Sequence, residues 1–353
     1  MKILITGGAG FVGSSLSLKI KEKYPEYSII AFDNLKRRGS ELNLIDFKKQ
    51  GIEFIHGDIR NIEDLNAVGE FNILIEASAE PSVTAGINSD PSFIINNNLY
   101  GSINCMNVCL QNNAKMIFLS TSRVYPIEKI ETANFIEEAT RFSFGETQRE
   151  VGISNLGISE ELSLSGARSF YGTTKLSSEL FIQEYSAFYN LEAAVTRFGV
   201  IAGPRQMGKT DQGVVTLWMA KHFWRQSLKY IGYGGLGKQV RDILHIEDLI
   251  ELIDIQIHQT KKFDGKIYNA GGGLKNSASL LEMTTICEKI TGNKIKIDSE
   301  MQNRSADLKI FITNSTKIET EIGWTPKHSV EKIFLDVFNW INKNEEQLKS
   351  ILK

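Results

Sequence analysis

Short apolar runs alternate with longer amphipathic segments over the first two hundred residues. The runs are apolar or β-branched and end at turn-forming residues; they are Ile3–Ile5, Ser28–Phe32, Glu53–Ile55, Ile73–Ala77, Met116–Ser120 and Ala193–Arg197. Between them, segments such as Gly101–Gln111 and Thr174–Tyr189 carry apolar residues at helical spacing. Strands that alternate with helices usually form parallel sheets through helical crossovers. The pattern therefore predicts an α/β fold with a doubly wound parallel sheet.

The pattern changes after residue 200. Glycine-rich loops lie at Gly232–Gly237 and Gly271–Gly273, and helices are predicted at Ala278–Thr291 and Ser329–Asn344. We expect residues 1–200 to form the sheet domain, with a returning segment near 238–268. Residues 201–353 should form mainly a smaller C-terminal α/β domain that closes over the carboxyl edge of the sheet.

One segment does not follow either pattern. From Pro126 to Ser169 the chain is polar, acidic and irregular. Long irregular segments beside a functional site usually serve as lids or substrate loops, and we expect that role here.

A glycine-rich loop follows the first predicted strand. Gly8–Gly13 fits the G-x-G-x-x-G pattern, and Gly7 extends it. Such a loop can be a plain turn between strand and helix. Here it opens a helix at Ser14, and the next strand ends in Asp33, which is the context of a Rossmann-type dinucleotide site. Glycines let backbone N–H groups approach a diphosphate at a helix N-terminus, where the helix dipole favours anions.

Asp33 bears on the choice of dinucleotide. Its carboxylate can accept hydrogen bonds from the adenine ribose hydroxyls and would repel a 2′-phosphate. This favours NAD over NADP, although three cations (Lys36, Arg37 and Arg38) follow closely.

Tyr171 and Lys175 form a Y-x-x-x-K pair at the start of a predicted helix. A spacing of four residues places both side chains on one helix face. The ammonium would lower the pKa of the phenol, so that Tyr171 could act as a general base near neutral pH. The alternative is a solvated surface pair. The hydroxyl residues Ser120–Ser122 decide between them, because they end a strand whose carboxyl end should face the same crevice.

Composition excludes several other functions. The chain has 353 residues, 23% of them charged, and a formal net charge of -2, which gives no reason to expect nucleic acid or an anionic membrane as partner. Three dispersed cysteines suggest core packing, and five histidines without ligand spacing suggest no metal. The N-terminal apolar run is too short for a signal peptide, and no run could span a bilayer, so we expect a cytoplasmic protein.

Taken together, these residues resemble the extended short-chain dehydrogenase/reductase family, which acts mainly on nucleotide-diphosphate sugars. The resemblance extends over nearly the whole chain. It is carried by Gly7–Gly13, Asp33–Leu35, Gly57–Ile59, Asn98 with Gly101, Ser120–Tyr125, Tyr171 with Lys175, Arg197–Pro204, Arg241–Asp242, His245 with Asp248, and Gly323–Pro326.

The resemblance implies a role for each matching residue. Thr121, Tyr171 and Lys175 would be the catalytic triad, and Asp58 would contact the adenine of tightly bound NAD. The cofactor-binding residues would be Gly7, Gly8, Gly10, Phe11, Val12, Gly13, Asp33, Asn34, Asp58, Ile59, Ala77, Ala79, Asn98, Tyr171 and Lys175. The sugar nucleotide would be held by Thr121, Ser122, Arg123, Arg205, Gln206, Gln212, Arg241 and Arg304. Residues 1–200 would then be the NAD-binding domain, and 201–353 mainly the substrate domain.

The chain lacks the acidic residues that two classes of enzyme in or near this family require. The dehydratases carry an acidic pair just after the triad threonine, and the related decarboxylases carry a glutamate there. This chain has Ser122 and Arg123 instead. Epimerases and simple reductases remain.

Several stretches resemble the CDP-paratose (CDP-tyvelose) 2-epimerases, which belong to lipopolysaccharide sugar synthesis. They are Phe32–Leu35 with Arg38–Gly39, Arg205–Gln206 followed by Asp211–Gly213, and Gly237–His245. Four features differ from the family pattern: Glu76–Ala79 where His-Leu-Ala-Ala/Gly is usual, Gly199–Val200 for Phe-Asn, Pro126 for Gly, and the long 126–170 segment.

The resemblance thus predicts NAD-dependent epimerisation at C2 of a CDP-sugar through a transient keto sugar. A UDP-hexose 4-epimerase or a 4-keto sugar-nucleotide reductase is the alternative within the family. A non-catalytic NAD-sensing protein is an alternative of another class. Helices Asn98–Gln111 and Thr174–Tyr189 resemble the pair that forms the family's dimer bundle, which predicts a homodimer or homotetramer.

Overall fold

The computed structural model describes residues 1–87, 89–208 and 212–353. The strands are β1 Lys2–Thr6, β2 Ser28–Asp33, β3 Glu53–His56, β4 Ile73–Glu76, β5 Lys115–Thr121, β6 Phe135–Glu137, β7 Phe142–Phe144, β8 Ile153–Ser154, β9 Gly157–Ile158, β10 Ala193–Phe198, β11 Val200–Ala202, β12 Leu228–Ile231, β13 Val240–His245, β14 Ile267–Ala270, β15 Ser277–Ser279, β16 Ile297–Glu300 and β17 Ile310–Phe311. The α-helices are α1 Phe11–Lys23, α2 Leu44–Gln50, α3 Ile62–Asn66, α4 Ser92–Ile95, α5 Gly101–Gln111, α6 Ile127–Glu131, α7 Phe170–Tyr189, α8 Val214–Phe223, α9 Ile246–Gln259, α10 Leu280–Thr291, α11 Thr316–Ile322, α12 Val330–Lys343 and α13 Glu345–Leu352.

The largest sheet has seven strands in the order β14-β10-β5-β4-β1-β2-β3. The pairs among β1 to β5 are parallel, with Ile3 opposite both Ile29 and Ile73. Because the chain proceeds outward from β1 in both directions, the strand order reverses between β1 and β4, which is where doubly wound sheets bind ligands. The predicted α/β, Rossmann-type fold is confirmed.

The apolar runs form the strands because both faces of a parallel sheet are buried. One side of the sheet packs into a core that includes Leu4, Ile30, Leu74 and Met116. Cys105 and Cys109 of α5 lie in this core as free thiols, as their spacing predicted.

The predicted elements of the first two hundred residues agree with the structure to within two residues for every strand. Helix α5 has the predicted bounds, whereas α7 begins at Phe170 rather than at Thr174. The difference places Tyr171 inside the first turn of the helix.

The chain forms two compact units. The first comprises residues 1–121, 170–197 and 249–267, and the second comprises 122–169, 198–248 and 268–353. This division differs from the predicted one, since residues 122–169 join the second unit and make it the larger of the two. The segment that returns to the first unit begins at Leu249 rather than near residue 238.

Backbone pairing explains both differences. Strand β13 is the centre of the second unit's own sheet, where it pairs with β11, β15 and β17 and therefore does not return with α9. The 122–169 segment bonds to the same unit, since Ile158 N–H donates to the Ile312 carbonyl at 2.8 Å and Phe142 N–H to the Lys238 carbonyl at 3.0 Å.

The 126–169 segment is also less irregular than expected. It contains α6 and two antiparallel hairpins, β6–β7 and β8–β9. The rings of Phe135 and Phe144 stack with centroids 5.7 Å apart, and the Lys309 ammonium lies 4.5 Å from the Phe135 ring. The role of the 126–169 segment as a lid or substrate loop stays a prediction.

Candidate active site

The glycine loop joins β1 to α1 by a close approach of backbone to backbone. Gly7 has a φ of 64°, in the left-handed region that favours glycine. A Cβ atom on Gly13 would lie 2.1 Å from the Gly7 carbonyl oxygen. A Cβ atom on Gly7 would lie 2.7 Å from the carbonyl oxygen of Ala77, the residue that follows β4. Only glycines fit here, and the first turn of α1 can thus lie directly against the strand ends.

The N-terminus of α1 presents its first N–H groups without a capping side chain. The N-cap is Gly10, which has no side chain to satisfy them, and Phe11 and Val12 are partly exposed. These donors together with the helix dipole suit an anion such as a diphosphate.

Asp33 ends β2 and fixes the glycine loop. Its Oδ2 accepts the Ala9 N–H at 3.1 Å, and its Oδ1 accepts the Leu35 N–H at 2.7 Å. Burial raises the pKa of Asp33, while these backbone donors act in the opposite direction. The carboxylate therefore shapes the loop as well as offering acceptor capacity for ribose hydroxyls.

Asn34 and Asp58, both predicted to contact the cofactor, are bonded to each other. Asn34 Nδ2 donates to Asp58 Oδ2 at 2.9 Å, and Arg60 Nη2 donates to the same oxygen at 2.7 Å. The Arg60 guanidinium holds the pKa of the Asp58 carboxyl well below its usual range. Asp58 is therefore an anion throughout the neutral range. The next residue, Ile59, is buried in the core of the first unit.

The loop after β4 is held by Asn98. The Asn98 side chain accepts the Glu80 N–H at 2.8 Å and donates to the Glu80 carbonyl at 3.0 Å. This pair of bonds fixes the chain just beyond Ala77 and Ala79. Asn98 thus acts here on the backbone of the loop, and its direct contact with a cofactor stays a prediction.

The three residues of the predicted triad belong to two elements of the first unit. Thr121 ends β5 and is 7% exposed, Tyr171 lies in the first turn of α7, and Lys175 follows one turn later at 2% exposure. Helix α7 packs on β5, with the Lys175 ammonium 3.7 Å from the centre of the Phe118 ring. Burial lowers the pKa of Lys175, and nearby carboxylates raise it.

A buried ion pair fastens this helix to the sheet. Arg197 of β10 donates from Nε to Glu179 Oε1 at 3.0 Å and from Nη2 to Oε2 at 2.7 Å. Ser120 Oγ also donates to Glu179. Sequence reasoning missed Glu179, yet its spacing of four from Lys175 and eight from Tyr171 places all three on one helix face.

Two predicted substrate residues of the second unit bind one loop of that unit. Arg123 Nη1 donates to the Ala306 carbonyl at 3.1 Å, and Arg241 Nη2 donates to Asp307 Oδ1 at 2.6 Å and to the Leu308 carbonyl at 2.7 Å. The Arg241 guanidinium, predicted to bind phosphate, therefore also forms an ion pair with Asp307.

The remaining substrate residues lie in loops of the second unit. The Gln206 side chain donates to the Ile201 carbonyl at 2.9 Å and accepts a hydrogen bond from the Thr216 hydroxyl at 3.1 Å. Its amide therefore links the loop after β11 to helix α8. Arg205 adopts a left-handed φ of 76°, and Arg304 is exposed. Ser122 begins a 3-10 turn and Gln212 is partly exposed, whereas Asp211 lies outside the described residues.

His328 meets His245 and Glu247, which are distant from it in sequence, within the second unit. Ligand atoms of His245, Glu247 and His328 lie within 4.8 Å of one another. His245 Nδ1 accepts the Glu247 N–H at 3.0 Å, so a neutral ring carries its proton on Nε2, 3.3 Å from Asp336 Oδ2. A protonated nitrogen cannot ligate a metal, so this tautomer of His245 does not suit a metal site. The expected absence of a metal stays a prediction.

Comparisons with known proteins match nearly the whole chain. The family described as "NAD dependent epimerase/dehydratase family" matches residues 3–271. A CDP-paratose 2-epimerase of Salmonella typhi is 31% identical over 352 residues, which cover 96% of this chain and 99% of that protein. A UDP-glucuronate 4-epimerase of Thermodesulfobacterium geofontis is 26% identical over 99% of this chain and 98% of its own.

Solved structures give the same result for the fold. The dTDP-glucose 4,6-dehydratase of Bacillus anthracis, solved in complex with NAD, superposes with a TM-score of 0.78 at 26% identity and covers 99% of both chains. Within the described part of the chain, no helix combines the length and the apolar character that crossing a bilayer requires.

The glycine loop provides a direct test of this site. We expect Gly13→Ala to destabilise the first unit by about 1 to 3 kcal/mol, because the new methyl group would overlap the Gly7 carbonyl, and to lower NAD affinity. Thermal unfolding and NAD binding by calorimetry would measure both effects.

Gly10→Ala is the matched control for stability, since its Cβ would approach the Gly7 oxygen only to 3.2 Å. Equal unfolding midpoints for the two variants would contradict the assigned close contact.

Proposed function

The chain belongs to the NAD-dependent epimerase/dehydratase family, and from this premise we propose that it inverts C2 of a CDP-sugar, converting CDP-paratose into CDP-tyvelose. It is an enzyme, and NAD is its cofactor. The observation that carries the choice of substrate is the 31% identity to a CDP-paratose 2-epimerase over 96% of this chain. The absence of carboxylates at Ser122 and Arg123, after the triad threonine, fits an epimerase better than a dehydratase.

The first unit is suited to hold the cofactor. The Gly7–Gly13 cradle leaves no room for a Cβ at Gly13 and directs the first N–H groups of α1 outward. The diphosphate would lie on these groups, the adenine ribose at Asp33, and the adenine near Asp58. When bound, NAD would supply the hydride acceptor and donor for oxidation and re-reduction at C2, and inversion would require the keto sugar to rotate in the pocket between the two transfers.

The triad supplies the proton chemistry. Tyr171 as phenolate takes the proton of the 2-hydroxyl, and Thr121 aligns that hydroxyl by hydrogen bonding. Lys175, one helical turn from Tyr171, stabilises the phenolate by its charge. A shift of the phenol pKa from about 10 to near 7 corresponds to roughly 4 kcal/mol of preferential stabilisation of the phenolate. The Lys175 ammonium and the positively charged nicotinamide ring of NAD could together supply this in a site without water. Tyr171 then returns the proton to the inverted alcohol.

The sugar-nucleotide diphosphate requires cations in the second unit. Arg241, Arg205 and Arg304 fill this role, because guanidinium groups bind phosphate oxygens in a bidentate manner. Arg241 would exchange part of its ion pair with Asp307 for the more highly charged diphosphate.

A second candidate is epimerisation at C4 of a UDP-sugar. It is favoured by the 26% identity to a UDP-glucuronate 4-epimerase over 99% of this chain. The same triad would serve, with the 4-hydroxyl in place of the 2-hydroxyl.

The choice between the two can be tested without added cofactor. We expect the purified protein to release NAD on denaturation, identified by mass, and to convert CDP-paratose into CDP-tyvelose with no reductant supplied, because the reaction is redox-neutral. Product formation followed by NMR is the measurement. Conversion of UDP-sugars alone would overturn the CDP assignment, and turnover that occurs only after NADH is added and consumes it stoichiometrically would indicate a reductase.

The role of Tyr171 predicts a clear separation of chemistry from binding. Tyr171→Phe should reduce turnover at least about 1,000-fold, since it removes the general base, while NAD content stays close to that of the unaltered protein.

Tyr189→Phe is the matched control, because it removes an exposed hydroxyl from the far end of the same helix. Retention of turnover by Tyr171→Phe would exclude Tyr171 as the base.

The exposed face of α7 suggests self-association. Leu180, Phe181, Phe188 and Tyr189 expose apolar surface along this helix, and such patches usually mark interfaces. We expect a homodimer through α5 and α7, so that sedimentation gives twice the 39.6 kDa of one chain.

Phe188→Glu should shift the protein toward monomer. Val151→Glu, at a residue with the same 73% exposure in the second unit, should not. A monomer before any substitution, or equal dissociation in both variants, would refute the assignment of this face.

A further inference from the structure

A carboxylic acid lies at the end of a central strand of the sheet. Glu76 is the last residue of β4 and is 0% exposed. Its register partners are Thr6 on β1 and Phe118 on β5. An ionised carboxylate in such a position is costly unless it is paired or hydrogen-bonded, so its partners decide what it does.

The hydrogen bonds of Glu76 leave half of its carboxyl group unused. Ser102 of α5 lies with its Oγ 2.6 Å from Glu76 Oε1. Among the described atoms, Glu76 Oε2 has no hydrogen-bond partner, although it is fully buried. A purely structural side chain would be expected to satisfy both oxygens.

Lys175 lies over the neighbouring strand on the same face of the sheet. Its ammonium is 3.7 Å from the centre of the Phe118 ring, and Phe118 is the direct register partner of Glu76. Side chains of directly paired residues point to the same face, and α5 and α7 pack against each other there. The buried ammonium and the buried carboxylate therefore share one dry layer between the sheet and these two helices.

The other carboxylate near Lys175 is already neutralised. Glu179, one turn further along α7, binds the Arg197 guanidinium through both of its oxygens. Burial lowers the pKa of Lys175 and raises that of Glu76, and the attraction of each for the other's charge opposes both shifts. Among the described residues, the thiols of Cys105 and Cys109 on α5 also face this layer, and burial raises the pKa values of both.

We propose that Glu76 is the internal counter-ion of Lys175, a positioning residue that keeps the lysine charged in its dry site beside Tyr171. The proposal rests on the proposed function in that it takes Tyr171 as the base and Lys175⁺ as the group that stabilises its phenolate. Glu76 acts through Lys175 and touches neither substrate nor cofactor. It deepens the assignment of the triad by adding a fourth residue at a position where the family usually carries another residue type.

The first test needs no substrate. The ionisation of Tyr171 can be followed by phenolate absorbance near 295 nm, taken as the difference between each protein and its Tyr171→Phe counterpart. In Glu76→Gln we expect the phenol pKa to rise by about one unit, because an unpaired buried lysine loses its proton and no longer stabilises the phenolate.

The direction of this shift decides the question. If Lys175 kept its charge without Glu76, removal of a negative charge nearby would lower the phenol pKa. An unchanged or lowered phenol pKa in Glu76→Gln therefore overturns the proposal, and a raised one supports it. Because this readout is independent of the sugar, failure to convert CDP-paratose would count against the proposed substrate only.

Two further variants separate charge from structure. Glu76→Asp keeps the charge and should restore the phenol pKa and the pH profile of turnover to near those of the unaltered enzyme. Glu53→Gln removes an exposed carboxylate of the same sheet and should leave both unchanged. Equal thermal unfolding of Glu76→Gln and Glu76→Asp, with different phenol pKa values, supports the charge role, whereas equal phenol pKa values in the two variants refute it.

Discussion

The contact between the Gly7 carbonyl and the first turn of α1 at Gly13 is the constraint on which the site depends. A single methyl group at Gly13 would lie 2.1 Å from that oxygen, so the helix can start where it does only because both positions lack side chains. Asp33 secures the same loop by accepting the Ala9 N–H. The strand ends, the N-terminus of α1 and the Asp33 carboxylate are thereby brought into one place.

A second constraint is charge in a dry layer. Helix α7 carries Tyr171, Lys175 and Glu179 on one face, and the sheet beneath offers Phe118, Ser120 and Arg197. Glu179 and Arg197 neutralise each other and hold the helix to the sheet. Glu76 is therefore the carboxylate that we propose balances the charge of Lys175. A lysine buried without a counter-charge would tend to lose its proton, and the proton chemistry proposed for Tyr171 requires that it does not.

The fold and the site could be predicted to different extents. Apolar runs and helical periodicity were enough to predict β1 to β5 and β10, because a parallel sheet buried on both faces requires such runs. The sequence predicted two units but not their bounds, since the pairing of β13 with β11, β15 and β17 is non-local. The short hairpins of the 126–169 segment were not predictable from local sequence, because they are stabilised by contacts with distant residues such as Lys238 and Ile312.

The sequence by itself determined the motifs on which the proposed chemistry rests: a glycine loop followed by Asp33, a Y-x-x-x-K pair, and the absence of carboxylates after Thr121. These signals are local, since the spacing of residues along one loop or one helix already sets their geometry. Only the tertiary structure decided which groups share an environment. Glu76 is separated from Lys175 by 99 residues and Arg241 from Asp307 by 66. Sequence reasoning could not pair them, because burial and pairing of charge depend on which elements pack together rather than on their order.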